Sequence, residues 1–178
     1  TMVSLMRVSS PKVTCDSSSC PSSTFSAITC STSAPIYVVN AEDTILTLAE
    51  GTANSVTDGS SYVFADAASD EPSAAIFSKN DLVISGSGSL TVNGNYMNGI
   101  TGKDDLEITG GNITVNAVND GIRGRDSIVI SGGTITVNAG SDGLQSNNDE
   151  DPTKGFITIE GGTLHLVAGG DGIQAATS

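Results

Sequence analysis

The sequence predicts an all-β chain, a single-stranded parallel β-helix with coils of about 22 residues. Two observations predict it: a glycine-marked internal repeat, and three files of apolar residues that recur within it. Four segments align: DLVISGSGSLTVNGNYMNGITGK, DLEITGGNITVNAVNDGIRGR, SIVISGGTITVNAGSDGLQ and FITIEGGTLHLVAGGDGIQ. Gly99, Gly121 and Gly143 stand 22 residues apart, and Gly172 follows 29 later, with the excess in the loop 146–155. That period suits three short strands joined by turns.

The apolar files justify each strand in turn. One strand carries Leu82/Ile84, Leu106/Ile108, Ile128/Ile130 and Ile157/Ile159; the next carries Leu90/Val92, Ile113/Val115, Ile135/Val137 and Leu164/Leu166. A third corner carries Ile100, Ile122, Leu144 and Ile173. Apolar positions alternate within each strand, so one face points inward, and a one-residue slip would expose all of them. The GG or GS pairs at 86–87, 110–111, 132–133 and 161–162 mark a tight corner where glycine relieves strain. A β-sandwich seldom repeats one side-chain type in one column over four units, and the nonapeptide calcium roll has too short a period.

Residues 44–77 read as an earlier, less regular coil, with Ile76 in the Ile100 column and Lys79 in the Lys103 column; DGSSYVFADAASDEP is a surface excursion from it. The organisation expected is a Ser/Thr/Cys-rich N-terminal extension over 1–35 and a β-helix over 36–178. The chain stops at AATS after DGIQ with no polar cap, which predicts further coils or a covering subunit.

Seven Lys and Arg against 20 Asp and Glu give a formal charge of −13. Nucleic acid is excluded as a partner, because phosphates need clustered cations. Divalent cations and cationic surfaces suit the charge better. No apolar run is long enough to span a membrane. Cys15, Cys20 and Cys30 are an odd count whose pairing spacing does not give; one disulfide plus a free thiol would fit an oxidising compartment, and three small buried residues would fit as well.

Two acidic columns carry the chemistry. Asn80/Asp81, Asp104/Asp105 and Asp126 precede the first strand, and Asn98, Asp120, Asp142 and Asp171 precede the third corner. Coils stack about 5 Å apart, and two carboxylates at that distance repel by roughly 3 kcal/mol at an effective dielectric near 20. A bound Ca²⁺, which takes six to eight oxygens, turns the repulsion into attraction. Asp81, Asp104, Asp105 and Asp126 are therefore expected to form a calcium cluster. The Asp-Gly column is expected to be turn structure.

A basic column runs alongside: Lys79, Lys103, Arg125 and Lys154, with Arg123 nearby. It reads equally as a strip for sugar carboxylates, which Arg grips bidentately, and as charge compensation for the neighbouring aspartates. Asp149, Glu150 and Asp151 in the loop 146–155 are a weaker second metal candidate, lacking EF-hand spacing. Asn93, Asn116 and Asn138 form a structural ladder, His165 points outward, and Asn112-Ile-Thr matches the N-glycosylation acceptor.

The blocks EGTANSVTDGSSY, AAIFSKNDLVISGSGSLTVNGNY, GKDDLEITGGNITV, DGIRGRDSIVISGG, GLQSNNDEDPTKGFITIEGGTL and GGDGIQA resemble, in order over about residues 36–175, the bacterial carbohydrate-binding β-helix family once catalogued only as a domain of unknown function. The resemblance implies a right-handed parallel β-helix of pectate-lyase type, bound Ca²⁺, secretion, and affinity for cellulose or polygalacturonate-like polymers. Asp81, Asp104, Asp105 and Asp126 also look like the stacked acidic calcium site of a pectate lyase family.

The function expected is extracellular, calcium-dependent, non-catalytic polysaccharide binding at the cell surface or in the matrix. A second reading is a filament subunit, self-associating head to tail through solenoid ends, a contact that does not close. A third is a polysaccharide lyase, using calcium and a base such as Lys103, Arg123 or Arg125; the sequence shows no aromatic platform and no isolated base for it.

Overall fold

The computed structural model describes residues 27–41, 43–64, 66 and 68–177. Among them every regular element is a strand, all pairings are parallel, and the strands form three sheets. Sheet A stacks β3 (Asp43–Leu48), β6 (Asp81–Gly86), β9 (Asp105–Ile108), β12 (Ser127–Ile130) and β15 (Phe156–Ile159). Sheet C stacks β1 (Ala27–Cys30), β4 (Ala53–Asp58), β7 (Ser89–Gly94), β10 (Asn112–Ala117), β13 (Thr134–Ala139) and β16 (Thr163–Ala168). Sheet B stacks β2 (Ile36–Val38), β5 (Ala74–Ser78), β8 (Asn98–Gly102), β11 (Ile122–Gly124), β14 (Leu144–Ser146) and β17 (Ile173–Ala175). The chain visits B, A and C in turn and then climbs one rung, which is the parallel β-helix read from the repeat.

The predicted files are the observed pairings. Ile76, Ile100, Ile122, Leu144 and Ile173 are direct neighbours up sheet B. Leu82–Leu106–Ile128–Ile157 and Leu90–Ile113–Ile135–Leu164 do the same in sheets A and C. Apart from the outermost members, these side chains are fully buried in one continuous core. Each file keeps like beside like, so branched side chains nest rung on rung with little loss of packing.

Corner glycines make the tight path from sheet A to sheet C. Gly86, Gly111, Gly133 and Gly162 have φ between +91° and +99°, the left-handed region that favours glycine. The solenoid takes in residues ahead of position 36: Ala27–Cys30 pairs with Ser55–Asp58 at the edge of sheet C. Cys30 forms no disulfide among the described residues, and Cys15 and Cys20 lie outside them. No described helix is long and apolar enough to cross a membrane.

Because sheet B sends a single file, Ile100–Ile122–Leu144, into the middle of the core, one truncation there opens a cavity that neighbouring rungs cannot close. Ile122→Ala is expected to destabilise the chain by about 2–5 kcal/mol, read as a lowered urea midpoint. An unchanged midpoint would mean that this file does not carry the core.

Candidate functional site

The turns from sheet B into sheet A put both charged columns at one edge. Backbone hydrogen bonds climb this corner rung by rung: Lys79 N to Val38 O, Lys103 N to Ser78 O, Arg125 N to Gly102 O and Asn148 N to Arg125 O, at 2.9–3.0 Å. Side chains at equivalent positions are thereby held one strand spacing apart.

On the sheet A side the edge is acidic. Asp43, Asp81, Asp105 and Ser127 form one column in register, with Ser127 at its buried end. Asp81 Oδ1 accepts from the Asp105 amide at 3.2 Å, and Asp105 Oδ1 accepts from Ser127 Oγ at 2.7 Å. A groove of about 670 Å³ runs beside this column, with Val83, Glu107 and Val129 on its floor side and Lys154 and Phe156 at the far end.

Asp104 and Asp126 sit on the turn itself. Partial burial and the facing Asp126 and Asp81 carboxylates push Asp104 above the ordinary carboxylate range, only partly offset by Lys154. Its carboxylate accepts no hydrogen bond among the described residues. Asp126 is the opposite case. Burial opposes its charge, but Lys154 Nζ at 2.5 Å and Asn148 Nδ2 at 2.6 Å prevail and hold its pKa down. The column thus has one carboxylate already matched and one that is not.

On the sheet B side the edge is basic. Glu71 bridges Lys79 (3.0 Å) and Lys103 (2.6 Å), and these two partners outweigh its desolvation and lower its pKa. Arg125 pairs with Glu150 at 2.8 Å. Arg123 has no carboxylate partner among the described residues; its Nε reaches only Asn147 Oδ1 at 3.4 Å. Lys103, Arg123 and Arg125 share a small polar pocket of about 140 Å³ with Asp70, Glu71, Ser73 and Thr101. The strip read from sequence is therefore one surface, Lys79 joining it through Glu71.

Oxygen donors along this edge suit a hard cation such as Ca²⁺. Among the described residues, however, no three acidic, His or Cys side chains converge as a ready-made metal group. Asp81, Asp104 and Asp105 are the members that would hold an ion, with water or ligand oxygens completing its shell; Asp126 is occupied by Lys154. The loop 146–155 is built as a turn: Asn148 Oδ1 accepts from the Glu150 and Asp151 amides, and Asp151 Oδ1 from the Thr153 amide and hydroxyl. With Glu150 drawn to Arg125, the carboxylates of Asp149, Glu150 and Asp151 are not gathered as a group.

The Asp-Gly column is structural. Asp120 and Asp142 are buried, and each carboxylate accepts the amide of the aspartate one rung up: Asp142 N to Asp120 Oδ1 at 3.2 Å and Asp171 N to Asp142 Oδ1 at 2.8 Å. Asn98 starts the ladder by accepting from the Asp120 amide.

Three features lie outside the columns read from sequence. Asp43 joins the acidic column, which aligning DTIL with DLVI would have shown. Glu71 lies in the excursion, outside the repeat, so no column predicted it. An aromatic cluster also forms there: Tyr62 stacks on Tyr96 at 4.2 Å between centroids, with Phe64 against both. Tyr62 donates to the buried Asp58 at 2.6 Å, tying the excursion to sheet C; burial raises the Asp58 pKa despite that bond.

Comparison with known proteins agrees with this architecture. The model of a family described as "Carbohydrate-binding domain-containing protein" matches residues 25–178. A curated protein of the same description from Acetivibrio thermocellus is 50% identical over 90 residues, 51% of this chain and 32% of that protein. The chain thus spans about a third of the length of that relative. A solved structure, the polysaccharide lyase-like protein from C. thermocellum as a gadolinium derivative, superposes with a TM-score of 0.80 at 40% identity, covering 85% of this chain and 70% of that one. The match runs through nearly all of the described solenoid, and the chain belongs to the carbohydrate-binding domain-containing protein family.

Proposed function

We propose that the chain binds an acidic polysaccharide along the sheet A–sheet B edge, without turnover, and that Ca²⁺ bridges protein and sugar carboxylates there. One observation carries the reading: the edge holds two unmatched charges of opposite sign, Arg123 without a carboxylate and Asp104 pressed by two like charges. A uronate carboxylate answers the first, and a divalent cation answers the second. A chain of −13 would otherwise repel such a polymer.

The sites in this reading keep the residues named above. Lys79, Lys103, Arg123 and Arg125 meet the polymer, with Arg123 the open anchor. Asp81, Asp104 and Asp105 hold the ion, which supplies charge neutralisation. With few protein carboxylates on the ion, calcium affinity belongs in the range of extracellular modules, about 10⁻⁴–10⁻³ M, which suits a protein secreted to the cell surface or matrix.

Two expectations follow. Retention on polygalacturonate in millimolar Ca²⁺ should fall at least tenfold with chelator or with Arg123→Ala, with no unsaturated product absorbing in the ultraviolet. Retention indifferent to chelator, or accumulating product, would reject the reading.

The second concerns Asp104 by itself. Its folded pKa is raised, so the stability it contributes is present at low pH and lost as pH rises through that value. In chelator at neutral pH, Asp104→Asn should raise the melting temperature slightly, by under about 1 kcal/mol of stability for a part-exposed charge. The difference from the parent should shrink below pH 4, and the variant should lose the stabilisation that added Ca²⁺ gives the parent. A variant that melts lower at neutral pH and still responds to Ca²⁺ would contradict the assignment.

A further inference from the structure

We infer that Glu71 is an internal competitor of the basic strip: its carboxylate stands where a ligand carboxylate would sit, and a polymer must displace it to reach Lys79 and Lys103. The inference rests on the polysaccharide reading above and names the residue that sets the threshold for binding there. Its starting point is the geometry of the pairing. Glu71 gives Oε2 to Lys79 at 3.0 Å and Oε1 to Lys103 at 2.6 Å. The two lysines follow the paired residues Ser78 and Gly102, so they hold equivalent positions on adjacent rungs. One carboxylate thus bridges two rungs. A uronate carboxylate has the same two acceptor oxygens and the same charge, and fits the same two ammonium groups once Glu71 leaves. All three side chains are only half-buried, so the exchange takes place at the surface.

The backbone around Glu71 is held without help from its carboxylate. Ser69 Oγ donates to the Glu71 carbonyl at 3.0 Å and accepts from the Glu71 amide at 3.3 Å. Further back in the excursion, Tyr62 donates to Asp58 and stacks on Tyr96. The side chain can therefore swing off the lysines while its backbone stays in place. Its position is also the boundary of an open face. Phe77, Thr101 and Arg123 are one outward file up sheet B. Phe77 and Thr101 are buried, and Arg123 is the first of the three that is not. Glu71 and Arg123 line one pocket. A polymer that lands one carboxylate on Arg123 brings a neighbouring one against Glu71.

Competition sets the threshold. Glu71 is tethered, so it meets the lysines at an effective concentration on the order of millimolar or more. A free acidic sugar exchanges one carboxylate for another and gains little, so at lower concentrations it leaves the pair intact. A polymer already anchored at Arg123 is tethered too, and competes with Glu71 on equal terms. A neutral polymer brings no charge to take over the lysines. The strip thereby answers to several carboxylates in a row, and small anions do not fill it.

The test is affinity of the whole chain for polygalacturonate in millimolar Ca²⁺, compared among the parent, Glu71→Gln, Glu71→Ala and Asp66→Asn. Asp66 lies in the same excursion and carries the same charge, but it accepts the Ala68 amide at 2.9 Å and pairs with no lysine among the described residues. Glu71→Gln keeps the shape and removes the charge, and should bind about fivefold tighter because two part-exposed pairs no longer oppose the ligand. Glu71→Ala should show the same gain, which guards against a glutamine carbonyl that still holds the lysines. Asp66→Asn should stay within about twofold of the parent, since salt screens a charge that is not in contact. An ion pair that only holds the fold together predicts the opposite sign, weaker binding with a lower melting temperature. Three results would overturn the inference: affinity unchanged or weakened in both Glu71 variants, an equal gain in Asp66→Asn, or no binding by the parent or any variant. The last also removes the reading above, whereas binding that needs Arg123 and ignores Glu71 removes this inference alone.

Discussion

Everything in this molecule depends on one spacing, the distance between hydrogen-bonded parallel strands. The repeat places equivalent residues in adjacent rungs, and backbone pairing fixes them about 4.8 Å apart. Inside the solenoid this turns Ile76, Ile100, Ile122 and Leu144 into a packed file. Outside, it makes every side chain a neighbour of its own counterpart, whether or not the two attract.

That constraint explains why the surface divides by face. Where the counterparts are amides they bond, and the Asn93–Asn116–Asn138 ladder is the result. Where they are carboxylates they repel, unless the backbone or a cation intervenes. Asp120 and Asp142 are relieved by accepting the amide of the next rung. Asp126 is relieved by Lys154, and Glu71 by two lysines at once. Asp104 accepts no hydrogen bond among the described residues, and burial together with the Asp126 and Asp81 charges raises its pKa against a partial offset from Lys154. The unmatched groups are the ones a ligand can address, because binding there satisfies a charge instead of displacing a partner.

The fold was legible because stacking writes itself into sequence as columns. Glycine spacing and alternating apolar pairs locate the inward face on every rung, and the pairings agree with them residue by residue. The charged columns were legible for the same reason: Lys103, Arg123 and Arg125 do line one pocket, and Asp81 and Asp105 do adjoin. What could not be read was who partners whom. Glu71, Tyr62 and Phe64 come from an excursion with no counterpart in other rungs, so periodicity says nothing of where they return. Lys154 comes from an enlarged loop, and its reach to Asp126 is a matter of side-chain path. Neither the matching of Asp126 nor the openness of Arg123 follows from a column alone.

If the two unmatched charges are answered by one assembly, calcium and polymer must help each other bind, and by the same factor in both directions. Isothermal titration of Ca²⁺ into the chain, with and without an oligogalacturonate too short to form calcium gels, measures this linkage directly. The account predicts that the oligomer tightens Ca²⁺ several-fold and that Ca²⁺ tightens the oligomer equally. Calcium affinity that ignores the oligomer would contradict a shared site, and with it the claim that the edge was left unmatched for a bridged carboxylate.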